Sequence, residues 1–383
     1  MSNSFTRILF LLIMFLSPLV SQGQDVYDSA YIRRVQDTVD RYIRRHPELR
    51  YPKSGTKKFS LIPVYGAMYS PEQKLMAMGG FMGSFRTSGD TLVPLSQVGA
   101  IASVSTNLHI AGALAGSVFS GNGGFLFTWS AKFNNSPGRF WGLGYENAAS
   151  GKDPGSMTER RLRIRTDYLY RHSGSFMAGV MLGYNFYKVA ELSAPELLEG
   201  QPLAADYLYA GLRLDVDTRD DMFSPTEGLY INLEQGFWFP TVMDSWFSKT
   251  SFIADFYFSG WEGAVFAVDM TGEFNSAAAP WMFWPEVGGD ERMRGYYLGK
   301  YRERNFIAAQ LELRQKIYKW HGIALWGGAG NVFGSSKEFR IKNTLPTYGA
   351  GYRFSFYSLV FRLDFAFGNN GQWAVLAGFN HSF

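Results

Sequence analysis

The sequence predicts an all-β fold, a 16-stranded antiparallel transmembrane β-barrel with a short N-terminal amphipathic helix. Polar and apolar residues alternate with a period of two from Phe59 to Phe383, as barrel strands require. The 383-residue chain is 17% aromatic and contains 42 Gly and no Cys. Apolar stretches after Gln24 reach only about ten residues, whereas a membrane-spanning helix needs about 20. Any membrane span must therefore come from strands.

The N-terminal segment, residues 1–23, has the organisation of a secretory signal peptide. A single cation, Arg7, precedes an apolar run from Ile8 to Val20, and small residues follow up to Gly23. The run is too short to cross a bilayer, which favours a cleaved signal over a membrane anchor. We expect cleavage near Gly23 and, because the mature chain is a barrel, a location in the bacterial outer membrane.

Residues 24–58 form the predicted periplasmic segment, an amphipathic helix followed by a linker. The helix is expected over residues 25–46, where apolar residues recur at spacings of three and four with arginines between them, and it ends at Pro47. Its apolar stripe consists of Tyr31, Ile32, Val35, Val39, Tyr42 and Ile43. The helix would cap the periplasmic mouth or lie on the inner leaflet with its cations near phosphates.

Five segments place most of their charged residues on one face of a predicted strand. They are residues 159–171, 208–217, 264–274, 309–317 and 361–367. In the first, the polar face consists of Glu159, Arg161, Arg163, Arg165 and Asp167. Ions of both signs on successive strands suit cross-strand pairs in a barrel lumen better than the solvent face of a soluble sandwich.

The number of predicted strands is sixteen, which is even and leaves both ends of the barrel on the periplasmic side. This parity depends on residues 138–156 forming an outer loop rather than an extra strand. The longest connection, residues 274–302, is expected to be functional, as long loops in compact domains usually are. The predicted strands are 59–70, 74–86, 95–106, 108–119, 124–134, 158–171, 174–189, 205–217, 227–240, 249–259, 262–273, 303–318, 321–333, 345–356, 358–368 and 372–383.

The stretch DTRDDMFSPTEGLYINLE, residues 217–234, predicts a structured turn before a strand. Its proline and glycine fix the turn dihedrals, which an ordinary hairpin turn would also explain. The residues that carry the pattern are Asp217, Arg219, Asp220, Phe223, Pro225 and Gly228.

A second pattern, VGGDERMRGYYLGKY, occupies residues 287–301 within the long connection. Arg294, Gly295 and Tyr296 follow two glycines that let the backbone double back into the lumen. A guanidinium there needs a carboxylate, and Glu312 and Asp364 are predicted to face inward. The alternative is an arginine exposed in a solvent loop. We expect the loop's rim residue, Arg302, to contribute little.

These patterns resemble the BamA/TamA superfamily of outer-membrane assembly factors (bacterial surface antigen barrels). In that family an Asp-x-Arg-Asp run precedes Phe-x-Pro-x-x-Gly in a periplasmic turn, and a Val-Arg-Gly-Phe/Tyr signature lies in a sixth outer loop that folds into the lumen. Its arginine is held by acidic residues on the inner wall. Here Met293 replaces the valine, and ALWGGAGNVF (324–333) has Gly328 where the family has an acid. That departure shifts the pairing to Glu312 or Asp364.

The resemblance covers residues 59–383 and has two further features. Only residues 24–58 precede the barrel, too few for a POTRA domain, so the chain resembles the POTRA-less branch. The last strand ends in alternating aromatics, and Phe379 and Phe383 match the terminal signal that the cell's assembly machinery reads.

The resemblance implies a barrel that assists insertion or translocation of outer-membrane or surface components. A weakly paired seam between the first and last strands, with Pro63 and Gly378 weakening it, would offer backbone groups to a client strand. The alternatives are a plugged structural or docking subunit of an envelope complex or homo-oligomer, and a passive channel. Expected partners are the lipid bilayer, lipopolysaccharide, and outer-membrane protein clients or envelope-complex subunits.

Nothing in the sequence indicates an enzyme, a metal or a cofactor. The five histidines lack metal-ligand spacing, and no serine occupies a nucleophile elbow. A formal net charge of +4 does not favour nucleic acid as a partner.

Overall fold

The computed structural model describes residues 59–89, 93, 95–172, 175–221, 224–242, 245–356, 359–379 and 381–383. The predicted signal peptide, the predicted helix over residues 25–46, and Phe223 lie outside these ranges. In the described part of the chain, no helix has the length and apolar character needed to cross a membrane.

Sixteen antiparallel strands form one closed barrel in which chain neighbours pair and the first strand meets the last. This confirms the predicted number. The strands of the barrel are β1 (Phe59–Ser70), β2 (Lys74–Phe85), β3 (Ser96–Ser105), β4 (Ile110–Phe119), β5 (Phe125–Phe140), β6 (Gly155–Arg171), β7 (Phe176–Leu192), β8 (Ala204–Asp217), β9 (Gly228–Pro240), β10 (Phe247–Ser259), β11 (Ala264–Asn275), β14 (Asn305–Tyr318), β15 (His321–Phe333), β16 (Leu345–Phe356), β17 (Leu359–Phe367) and β18 (Trp373–Phe379).

Short elements lie in the connections at one end of the barrel. Two strands, β12 (Glu286–Val287) and β13 (Tyr301–Arg302), form a separate ribbon inside the long loop between β11 and β14. The remaining elements are a six-residue helix, α1 (Gly144–Ala149), and 3-10 turns at Pro195–Leu198, Trp281–Phe283, Ser336–Glu338 and Ile341–Asn343.

The period-two pattern sorts side chains between the lumen and the outer surface. On β8, Arg213 is fully buried while the adjacent Leu212 is 59% exposed. Glu312 on β14 is likewise buried and its neighbour Leu311 points outward. The barrel therefore encloses its charged residues and presents an apolar outer surface.

The region 138–156 contains less loop than predicted but no additional strand. Strand β5 continues to Phe140 and pairs with β6 along this extension, while its pairing with β4 stops at Asn135. Beyond that point β5 is an edge strand, where Pro137 removes a donor at little cost. The parity of sixteen strands is preserved because α1 fills the remainder of the connection.

The last strand is shorter than the predicted range 372–383. Strand β18 ends at Phe379, and residues 381–383 leave the sheet and enter the lumen, where Phe383 packs with Tyr257 and Ala267. Pairing across the closing seam is correspondingly sparse. Among the described residues, β1 and β18 pair at Tyr69 opposite Ala377 alone, although β1 pairs with β2 along its whole length.

Candidate functional site

The long loop between β11 and β14 folds back into the barrel, as predicted. Gly288 and Gly295 both have positive φ, 111° and 101°, which L side chains rarely adopt. A Cβ on Gly288 would lie 2.6 Å from the carbonyl oxygen of Tyr296, and one on Gly295 would lie 2.6 Å from the main chain of Phe367. Both positions therefore require glycine for the loop to double back against the wall.

Arg294 is completely buried inside the barrel and binds two carboxylates. Its Nη1 donates to Asp364 at 2.8 Å and its Nη2 donates to Glu312 at 2.8 Å. Both carboxylates are also fully buried. These are the two partners that inward parity predicted, and Arg294 is not a solvent-exposed loop residue.

Neighbouring side chains fix the position of Arg294 further. Its guanidinium lies over the ring of Trp326, 3.6 Å from the centroid. The Thr347 hydroxyl donates to the Arg294 carbonyl oxygen at 2.5 Å. The Tyr296 hydroxyl donates to the Pro346 carbonyl oxygen at 2.6 Å. The loop is thus bound to β15 and β16 as well as to β14 and β17.

Three arginines that the sequence analysis did not assign to the site complete the network. Arg314 Nε donates to Glu312 at 2.9 Å. Arg353 hydrogen bonds to Asp364, and Arg362 pairs with Asp290 of the loop at 3.0 Å. Arg314 and Arg362 lie at inward positions of segments whose alternation was recognised. Arg353 has no charged neighbour in register along β16, so its strand gave no such signal.

The loop makes a further ionic contact through Arg292. Its guanidinium pairs with Asp269 of β11 at 2.7 Å, and Gln310 Nε2 donates to the same carboxylate at 3.1 Å. Met293, between the two loop arginines, is fully buried and its main-chain N–H donates to Gln310 at 3.3 Å. The apolar side chain of Met293 thus suits its fully buried position.

The expectation for Arg302 was wrong. Its side chain is buried and pairs with Glu286 at 2.5 Å and Glu159 at 3.0 Å, and Arg161 hydrogen bonds to both carboxylates. The β12–β13 ribbon brings residues 286 and 302 together, which strand periodicity does not encode. Burial opposes ionisation of Glu286, but Arg161 and Arg302 outweigh it and lower its pKa from 4.5 to about 2.

The described residues of the motif, 217–221 and 224–228, lie at the β8–β9 connection, at the end of the barrel opposite the long loop. The buried Arg219 pairs with Asp217 at 2.7 Å and lies over the ring of Tyr230. Asp220 accepts hydrogen bonds from the main-chain N–H of Thr226 at 2.9 Å and of Glu227 at 3.1 Å. Burial opposes ionisation of Asp220, but a hydrogen bond from the Thr226 hydroxyl at 2.6 Å, together with these main-chain hydrogen bonds, outweighs it and lowers its pKa.

The proline and glycine of this turn have distinct roles. Pro225 is buried, and Gly228 has a φ of 102°. A Cβ on Gly228 would lie 2.5 Å from the carbonyl oxygen of Thr218. The motif is therefore more than a generic hairpin turn, because its acid, arginine and glycine each have a specific contact.

The last residues of the sequence join the network around Glu312. Arg314 Nη2 donates to the Phe383 main-chain oxygen at 2.6 Å, and the Ser382 hydroxyl donates to Glu312 at 3.3 Å. Phe379, by contrast, remains in the sheet, with its main chain opposite Phe361. Of the two predicted terminal aromatics, Phe379 thus pairs within the sheet through its main chain, whereas Phe383 lies in the lumen. Within the described ranges, no three His, Asp or Glu side chains form a metal-binding group.

Solved structures share this arrangement of strands. BamA from Haemophilus ducreyi lacking POTRA domains 1–3 has a TM-score of 0.61 and 11% identity, over 85% of this chain and 71% of that chain. CdiB from Acinetobacter baumannii has a TM-score of 0.55 and 11% identity, over 86% and 60%. CdiB from Escherichia coli has a TM-score of 0.55 and 11% identity, over 85% and 63%.

These likenesses show the fold, a BamA-like barrel, which is the fold that the family resemblance implied. This chain spans less than two thirds of either CdiB chain. No family model and no curated protein sequence matches it.

Proposed function

We propose that this chain is an outer-membrane barrel that assists insertion or translocation of outer-membrane or surface components, with no enzymatic step. The observation that carries the proposal is the seam, where β1 and β18 pair at Tyr69 opposite Ala377 alone among the described residues. Between Leu61 and Met68, β1 uses one edge to pair with β2, and its other edge can offer backbone donors and acceptors to a client strand.

The apolar composition of the inner wall beside the seam favours separation of β1 from β18. Val64, Met76, Met78 and Ile101 form an apolar cluster on β1 to β3. Elsewhere in the lumen, carboxylates and guanidinium groups from several strands pair with one another, as Arg213 does with Asp167 and Asp215. The wall of β1 to β3 beside the seam is thus lined by non-directional apolar contacts and not by pairs of buried charges, which cost more to break.

The outer surface supports a position in the outer membrane, in contact with lipid and lipopolysaccharide. Large apolar side chains cover it, and tryptophans are exposed near strand ends, at Trp246, Trp261, Trp320 and Trp373. Tryptophan is enriched at membrane–water interfaces because its ring is amphipathic.

Cysteine pairs test the role of the seam, in a chain that has no native cysteine. The register of the seam places Tyr69 opposite Ala377. We expect Tyr69→Cys with Ala377→Cys to crosslink partially and, once oxidised, to abolish insertion of a client barrel into liposomes. The matched control is Phe365→Cys with Val375→Cys, which joins β17 to β18 and leaves the seam free.

A plugged docking subunit is the second candidate, because the loop with Arg292 and Arg294 occupies the lumen. Full activity of the seam-locked protein would exclude the insertion mechanism and favour this candidate. Co-purification of an envelope-complex subunit or of a second copy would then identify its partner.

A further inference from the structure

The end of the sequence occupies a pocket on the inner wall rather than the sheet edge. Phe383 is 8% exposed and packs against Tyr257 of β10 and Ala267 of β11. Arg314 of β14 donates to its main-chain oxygen at 2.6 Å and lies over its ring, 5.6 Å from the centroid. Three neighbouring strands therefore build the pocket.

The pocket contacts three different features of the segment it holds. Arg314 binds a main-chain oxygen, Glu312 accepts a hydrogen bond from the Ser382 hydroxyl, and Tyr257 with Ala267 receives the aromatic ring. Glu312 also fixes Arg314 in place, with 2.9 Å between Nε and the carboxylate. This set of contacts suits a short peptide in which a hydroxyl residue precedes an aromatic one.

We infer that this pocket is a peptide-binding site, filled in cis by residues 381–383 and available to the aromatic end of a client strand when β18 leaves the seam. The client role rests on the proposed function. The contacts of the pocket do not depend on that function, because residues 381–383 occupy the pocket in the structure.

The segment in the pocket and the long loop share one hydrogen-bond acceptor, the carboxylate of Glu312. Glu312 accepts hydrogen bonds from Arg294 at 2.8 Å, from Arg314 at 2.9 Å and from Ser382 at 3.3 Å. Emptying the pocket therefore removes one donor from the carboxylate that holds Arg294, and a peptide with a hydroxyl residue before its aromatic residue restores that donor.

The tail competes with any added peptide from a high effective concentration, because it is tethered to β18. The experiment therefore weakens the tail by Phe383→Ala in the full chain, folded in detergent micelles. A fluorescent peptide with the sequence of residues 372–383 is titrated in, and anisotropy reports binding. We expect the variant to bind it about tenfold or more tightly than the parent, because an aromatic side chain supplies most of the buried apolar surface.

Two controls assign that binding to the pocket. Ala267→Leu, combined with Phe383→Ala, fills the ring site without removing a charge and is expected to abolish binding. The same peptide carrying Phe383→Ala should bind about tenfold more weakly. Folding of each variant is checked by its heat-dependent shift on SDS gels.

Absence of peptide binding to the folded Phe383→Ala protein would overturn the inference, and so would binding that Ala267→Leu or the altered peptide leaves unchanged. The measurement requires no insertion activity. Full activity of the seam-locked protein, which would exclude the insertion mechanism, would therefore leave the peptide-binding result unchanged.

Discussion

The guanidinium of Arg294 lies 3.6 Å from the ring centroid of Trp326. The same group donates to Glu312 on β14 and to Asp364 on β17, while Trp326 lies on β15 between them. One loop residue therefore connects strands across a quarter of the barrel wall. Trp326 covers one face of the cation and both carboxylates are buried, so water is excluded from these ion pairs. A carboxylate that loses the cation is therefore not stabilised by hydration instead.

Replacing Arg294 by alanine is expected to lower the free energy of unfolding by about 3–5 kcal/mol, since it leaves two buried carboxylates with one cation fewer. The measurement is urea unfolding of the barrel in lipid vesicles, followed by tryptophan fluorescence. Arg294→Lys should recover only part of the loss, because an ammonium group cannot reproduce the two-pronged geometry.

The matched control is Arg340→Ala, in another connection at the same end of the barrel. Arg340 is exposed and donates only to main-chain oxygens of its own segment, at Lys337 and Phe339. Its substitution should change stability by less than about 1 kcal/mol. Equal effects of the two substitutions would mean that the buried ion pairs of Arg294 do not stabilise the barrel.

Strand periodicity predicted the wall of the barrel and the inward-facing carboxylates, while the family resemblance implied that Arg294 reaches them. Inward parity placed Glu312 and Asp364 in the lumen, and both bind the loop arginine. The burial and ion pairs of Arg302 could not be predicted in this way, because they depend on the β12–β13 ribbon and not on a repeating pattern. The departure of residues 381–383 from the last strand was also missed, since WAVLAGFNHSF keeps alternating after pairing stops.

The cluster of Glu286, Arg161 and Arg302 should make stability depend on pH in acid. The pKa of Glu286 is lowered from 4.5 to about 2, so its contribution is complete above pH 4.5 and is lost as the pH falls through 2. Glu286→Gln should therefore destabilise the barrel by about 3 kcal/mol near neutral pH. The difference from the parent should shrink progressively between pH 4.5 and 2.

Urea midpoints measured over this pH range provide the check. Glu338→Gln is a suitable control, because Glu338 is exposed in the connection between β15 and β16. Its midpoint should follow that of the parent at every pH. A constant difference between Glu286→Gln and the parent down to pH 2 would show that the ionised form of Glu286 does not supply the stability.

The turn between β8 and β9 gives a prediction about backbone geometry. Gly228 has a φ of 102°, and a Cβ there would approach the Thr218 carbonyl oxygen to 2.5 Å, so Gly228→Ala must shift the turn. We expect a loss of about 1–3 kcal/mol from the strained backbone. The displaced turn would also weaken the hydrogen bonds that Asp220 accepts from Thr226 and Glu227.

Gly327→Ala is the control, because nothing lies within 4 Å of its added Cβ and its φ is not positive. Refolding yield and urea midpoint should fall for Gly228→Ala and stay near the parent values for Gly327→Ala. Similar behaviour of the two variants would show that the turn tolerates a side chain at 228, and that its conformation does not depend on glycine.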